Sequence, residues 1–141
     1  MSDLLDRTVI EALIPHSGRM CLIDTVVQWG PNSIECQGVC DQATHPLLRE
    51  GRLPSTSAIE YAGQAAAVHG ALLDKAKEAK AGFLGKLTEI SFSSNIIEKE
   101  EGPLNIVAHL VSRSEQGCIY KFEVTGAIHF VATGQFMIVF S

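Results

Sequence analysis

Positive charge is scarce in this 141-residue chain: 11 lysines and arginines face 16 aspartates and glutamates, for a net charge of -5 at pH 7. That balance argues against nucleic acid as a partner, because neutralising phosphates takes a basic face. An acidic protein partner would have to find a local basic patch. Long apolar runs are missing as well. None approaches the roughly 20 residues of a membrane span, and Met1 to Thr8 carries no apolar core of a signal peptide. No membrane span is therefore expected, and the expected location is the cytoplasm. The four cysteines, Cys21, Cys36, Cys40 and Cys118, contain no CxxC pair. They read as small apolar residues in a reducing compartment, not as ligands or a disulfide. No trio of His, Cys or carboxylate has metal spacing, and neither a GxGxxG nor a P-loop occurs. No metal and no bound cofactor is expected.

What is present is the composition of a globular protein, 46% hydrophobic and 19% charged. The length is that of one domain, 1–141, large enough to bury a core without staples. Arg7 to Ile14 reads as a short helix ended by Pro15, with Val9, Ile10, Leu13 and Ile14 on one side. Met20–Trp29 and Ile34–Asp41 read as strands around a Gly-Pro-Asn-Ser turn. In the second, Ile34, Cys36, Gly38 and Cys40 share a face. From Pro54 to about Lys80 alanine dominates and no internal proline occurs, which predicts a helix of about 35–40 Å. Pro54 suits its first turn, Lys75, Lys77 and Lys80 suit its last, and Gly82 suits the position just beyond. Most of its girth is apolar or small, so it should be buried. Ala62, Gly63, Ala66 and Gly70 would let a sheet come close. After Gly82 the period returns to two, with strands over Phe83–Ile97, Leu104–Arg113, Cys118–Thr125 and Ile128–Phe140, and a bulge suggested at Gly134. The order fits an α+β hot dog fold: an antiparallel sheet of about six strands wrapped around one long central helix.

The stretch HPLLREGRLPSTSAIEYAGQ, His45 to Gln64, allows two readings. In the first, Ser57-Ala-Ile-Glu60 is a capping box at a helix start and His45 is a loop residue. In the second, Glu60 and Gln64, four apart, share a face of an apolar helix, where a carboxylate is costly unless used. His45 would be a base matched to neutral pH, Gln64 would orient Glu60, and backbone N–H groups near Ser55 and Thr56 would receive an oxyanion. Base, acid and oxyanion donors together suit proton removal beside a thioester carbonyl. Of the other histidines, His16 and His69 read as structural, and His109 and His129 as surface or cross-strand residues.

Several segments resemble, in order, the β-hydroxyacyl-(acyl carrier protein) dehydratases of fatty acid synthesis, and more closely their relatives in aryl polyene and polyketide-like clusters. Leu13-Ile-Pro-His16 with Met20-Cys-Leu-Ile-Asp24 resembles the family's LPH…FLLVD opening. His45-Pro46 through Leu53-Pro54 resembles its HFPG…MPG loop, with one more residue between histidine and proline. Glu60 and Gln64 match its E-x-x-x-Q helix motif, and Gly82-Phe-Leu-Gly85 its G-F-L-x-G strand. Ser55 stands where the family commonly has glycine. The resemblance implies a hot dog dimer in which the histidine of one subunit faces the helix carboxylate of the other. It implies His45 as the base at C2 of a 3-hydroxyacyl thioester, Glu60 as the acid at the C3 hydroxyl, Gln64 as its orienter, and the Ser55 N–H as the thioester-oxygen donor. The substrate would ride on the phosphopantetheine of an acyl carrier protein, with Arg49, Arg52 and Lys86 the nearest contacts for it or its carrier. Two rivals stand beside this: a hot dog thioesterase, which would not need His45, and a non-catalytic acyl-binding subunit, against which the presence of both His45 and Glu60 argues.

Overall fold

The computed structural model describes residues 4–14, 20–38, 45–75 and 82–140; His16 and Cys40 lie outside them. Alternation of apolar and polar residues builds one six-stranded antiparallel sheet. Strand β1 (Ile23–Trp29) turns into β2 (Ser33–Gly38), and β2 pairs with β6 (Leu104–Arg113). A meander of β6, β7 (Gly117–Thr125) and β8 (Phe130–Phe140) follows, and β4 (Gly82–Phe92) closes the order β1-β2-β6-β7-β8-β4 at one edge. A second, two-stranded sheet joins β3 (Leu53–Pro54) to β5 (Ile96–Ile97). The short helix α1 (Arg7–Leu13) packs on β1, its N-cap Asp6 accepting from the Val9 N–H. Only Ile10 of α1 is buried, with Ile14 just beyond it; Val9, expected on the same side, is exposed.

The long helix α2 (Ser57–Asp74) lies across the inner face of β1, β2, β6 and β7. Its buried side, with Ala58, Tyr61, Ala62, Ala65, Ala66 and Val68, meets Ile34, Cys36, Leu104, Ile106 and Ala108 in one core. Phe122 and Phe136 stack at 5.6 Å and extend that core beneath β7 and β8. Each fully buried large aliphatic side chain here contributes about 1.5–3 kcal/mol. The alanines bring helix and sheet together, while Gly63 and Gly70 are only half-buried, and a Cβ on either would meet open space. Close approach is instead concentrated at Gly38, where a Cβ would run into the Tyr61 ring. Burial pushes the Cys36 thiol up to about 12, so it stays an inert apolar filler.

Several boundaries differ from the sequence expectation. The strand expected over Phe83–Ile97 is split, with β4 ending at Phe92 and β5 starting at Ile96 in the other sheet, and the last strand starts at Phe130, not Ile128. The first strand starts at Ile23, not Met20. Pro54 belongs to β3 and not to the helix, because Leu53 and Pro54 pair with Ile97 and Ile96. The helix is 18 residues long, about 27 Å at the usual rise. It ends at Lys75, whose left-handed backbone turns its N–H back to the Ala71 and Leu72 carbonyls. Asp74, in the last turn, is held by Arg113 of β6 at 2.7 Å. Finally, the bulge lies not at Gly134 but opposite it. Gly134 pairs in register with Phe122, whereas β4 breaks register between Thr88 and Ser91, with Glu89 at φ 56°. A side chain at Gly134 would strike Ile90 and Phe122, so the glycine makes room for the neighbouring strand's bulge.

Candidate active site

The loop ahead of α2 is a small hairpin. Arg49 and Arg52 exchange backbone hydrogen bonds of 2.7 and 3.0 Å around Glu50 and Gly51, at φ 53° and 76°. Positive φ at both central residues is the type I′ geometry, and Gly51 meets it without a Cβ penalty. Leaving this turn, the chain pairs as β3 with β5, and the Ser55 N–H continues that ladder by donating to the Asn95 carbonyl at 2.9 Å. The amide expected to receive a thioester oxygen is therefore engaged within the chain. The Ser55 carbonyl accepts from Ala58 N–H and starts the helix. Thr56 is the N-cap and makes no side-chain cap bond. Ser57 is already helical, so Ser57 and Glu60 do not have capping-box positions, which would put the serine at the cap itself. The positive end of the α2 dipole thus faces this turn without a side-chain cap.

His45 is buried, 7% exposed. Its Nδ1 accepts the Leu47 N–H at 3.1 Å, and its Nε2 lies 2.8 Å from the Tyr61 hydroxyl. A neutral imidazole has one lone pair and one N–H. With the Nδ1 lone pair occupied, the proton sits on Nε2, which donates to Tyr61 Oη. Tyr61 is fully buried and adjoins Glu60 on the helix. Glu60 itself is only half-buried and lies about 100° around the helix from Tyr61, on the side shared with Gly63, Ala67 and Gly70. The structure thus ties His45 to the residue beside Glu60.

Gln64 behaves differently from expectation. Its Oε1 accepts the Leu22 N–H at 2.8 Å and its Nε2 donates to the Met20 carbonyl at 2.9 Å. Both ends of the amide therefore clamp the segment leading into β1. Tyr61 and Gly38 are the site residues that sequence reasoning missed. The available signal was a lone hydroxyl-bearing aromatic in an alanine-rich helix.

Among the other described histidines, His69 and His129 serve the fold. His69 is fully buried, donating from Nε2 to the Gly30 carbonyl at 2.7 Å and accepting from the Tyr120 hydroxyl at Nδ1 at 2.6 Å. Burial pulls its pKa below 6.5. His109 is exposed on β6. His129 sits in the turn before β8, not in a strand, and its ring bonds Glu101. Glu101 also accepts the Ile128 and His129 N–H groups at 2.8 and 2.9 Å and so holds the β7–β8 turn. Burial of Glu101 raises its pKa, but these hydrogen bonds outweigh it and leave the carboxyl below its ordinary 4.5. Among the described residues no group of His, Cys, Asp and Glu is placed to hold a metal ion, and no helix is long and apolar enough to cross a membrane.

Comparison with known proteins bears on what this arrangement is for. No curated protein matches the chain. Among solved structures, it is similar to the dehydratase heterocomplex ApeI:P from Xenorhabdus doucetiae, with a TM-score of 0.82 at 21% identity over 94% of this chain and 90% of that one. Zebra fish thioesterase superfamily member 2 gives a TM-score of 0.67 at 14% identity over 96% and 95%. A variant of the HP0420 homologue from Helicobacter felis gives 0.63 at 15% over 90% and 94%. These likenesses establish the hot dog fold. The ApeP-like family model, described as ApeP dehydratase, matches residues 8–140, nearly the whole chain, and the protein therefore belongs to that dehydratase family.

Proposed function

We propose that the protein dehydrates a 3-hydroxyacyl thioester, carried on the phosphopantetheine of an acyl carrier protein, to the trans-2-enoyl thioester and water. Fold alone would not support this, since hot dog domains host several chemistries. The observation that carries it is a buried His45 ahead of α2, and a half-buried Glu60 on α2, in a chain whose residues 8–140 match a dehydratase family. In the reaction His45 takes the C2 proton through a ring nitrogen, and the freed electron pair forms the C2–C3 double bond. Glu60, as the acid, gives its proton to the departing C3 hydroxyl, which leaves as water. A proton passed from imidazolium to carboxylate resets the pair. Each positioned acid or base typically contributes about 10²–10⁴ in rate. The α2 N-terminus at Thr56 draws the thioester oxygen as charge develops there. Ser55 supports that turn through Asn95, and Gln64 acts by fixing α2 against β1.

The working unit in this reading is a homodimer, with His45 of one protomer opposite Glu60 of the partner subunit. Two observations support it. Glu60 is on the outer, half-exposed side of α2. Edge strand β4 leaves Phe83 61% and Leu87 45% exposed, an unpartnered apolar edge of the kind that pairs with another chain. The similar ApeI:P structure is a heterocomplex, so a related subunit is the other candidate occupant. Arg49, Arg52 and Lys86 are all exposed and available to the acidic carrier or its pantetheine.

Incubation with a 3-hydroxyacyl-pantetheine thioester, following enoyl absorbance and free thiol together, tests this. Enoyl product without thiol release is the expected outcome. Thiol without enoyl product would make the protein a thioesterase, and neither product would favour an acyl-binding subunit.

A further inference from the structure

We propose that Tyr61 is a positioning residue that caps His45, covering its protonated ring nitrogen so that the resting imidazole offers substrate no lone pair. The inference rests on His45 being the base, as proposed above. It starts from the two hydrogen bonds on the ring. The Leu47 N–H points at Nδ1 at 3.1 Å and can only donate, so Nδ1 carries the lone pair. Nε2 then carries the proton and delivers it to Tyr61 Oη at 2.8 Å. The reverse direction, with the hydroxyl donating, would require an imidazole that accepts at both nitrogens, which the neutral ring cannot do. In this state neither nitrogen can take the C2 proton. One lone pair is spent on a backbone amide, and the other ring position is an N–H facing a phenol.

The cap is rigid on the tyrosine side. Tyr61 is fully buried in the α2 core, and its ring lies so close to β2 that only glycine fits at position 38. The ring of Tyr61 therefore stays where the core puts it. The release falls to His45, which sits on the loop leading to the Arg49–Arg52 hairpin and not on a sheet or helix. Turnover then requires the imidazole to leave Tyr61 and the Leu47 N–H and to present a bare nitrogen to substrate. The capped state is a resting state, and the fraction of uncapped ring limits kcat while leaving substrate binding by the rest of the site unchanged.

Tyr61→Phe tests this, because it keeps the ring packed against Gly38 and removes the hydroxyl that faces Nε2. Two readouts on the full chain are needed. In the wild type, nitrogen NMR of His45 should show one neutral tautomer with the proton on Nε2. In Tyr61→Phe the Leu47 N–H still keeps the proton on Nε2, and the Nε2–H resonance should shift upfield as its acceptor is lost. With a 3-hydroxyacyl-pantetheine thioester, kcat for enoyl formation should rise about tenfold, as expected for loss of one buried hydrogen bond, with KM unchanged. A wild-type proton on Nδ1 would overturn the cap, as would a Tyr61→Phe kcat equal to or below that of the wild type. His45→Ala in both backgrounds separates this from the underlying reading. If His45→Ala abolishes enoyl formation and Tyr61→Phe fails to raise it, the cap alone falls. If enoyl formation survives His45→Ala, the assignment of the base falls and the cap with it.

Discussion

Two histidines in this protein each bond a tyrosine, and their surroundings send them to different tasks. His69 has both nitrogens matched to fixed partners, Tyr120 and the Gly30 carbonyl, deep in the core. It is a structural group, and its energetics follow. Tyr120→Phe should cost about 1–3 kcal/mol, because Nδ1 is left buried without its donor; urea unfolding at neutral pH measures it. The pH dependence also has a defined sign. The folded pKa of His69 lies below 6.5, so as pH falls through 6.5 the unfolded chain takes up a proton that the folded chain refuses. His69 should therefore make the protein less stable as pH drops below 6.5, and this slope should vanish in His69→Asn. His45, by contrast, has one partner from its own loop and one from the helix. That mixed anchoring is what lets a buried histidine be held and still be released.

At the scale of elements, the sequence pattern placed most of the sheet and the existence of the central helix. Leu104–Arg113 begins and ends where period-two alternation put it, and the Ile34, Cys36, Gly38 face is the buried one. What alternation does not encode is the competition at element ends. Pro54 is compatible with a helical first turn, but pairing with Ile96 draws it into β3. The alanine-rich pattern runs on past Asp74, yet Lys75 turns left-handed there. Gly134 signalled a bulge, but glycine marks where a neighbour needs room as readily as where its own strand breaks, and the bulge fell on β4. The apolar character of β4 was legible; that it would lie unpaired at the edge was not, because edge position is a property of topology. Its exposed Phe83 and Leu87 lead to a prediction for this element. Phe83→Lys combined with Leu87→Lys should shift the protein from dimer to monomer in analytical ultracentrifugation while leaving its circular dichroism intact. A wild-type protein that is already monomeric, or a dimer indifferent to the two lysines, would remove β4 as the pairing edge.

For the molecule as a whole, the candidate site was legible as residue types and only partly as contacts. His45 and Glu60 could be singled out because a histidine ahead of a proline-bearing turn and a carboxylate on an alanine-rich helix are both unusual. Their roles depended on details no spacing contains. The Ser55 amide is taken by Asn95, far along the chain, and Gln64 reaches back to Met20 and Leu22. Tyr61 closes on His45 because Gly38, on another strand, leaves space for its ring. All three depend on how the hairpin, α2 and β1–β2 come together, which is why the whole fold is needed to position one imidazole. The most direct measurement is the rate of enoyl-thioester formation from a 3-hydroxyacyl-pantetheine substrate, comparing the wild type with His45→Ala after circular dichroism has checked that the variant folds. A loss of about 10² or more in kcat, in line with removal of a general base, is the predicted result, and an undiminished rate in His45→Ala would contradict the account.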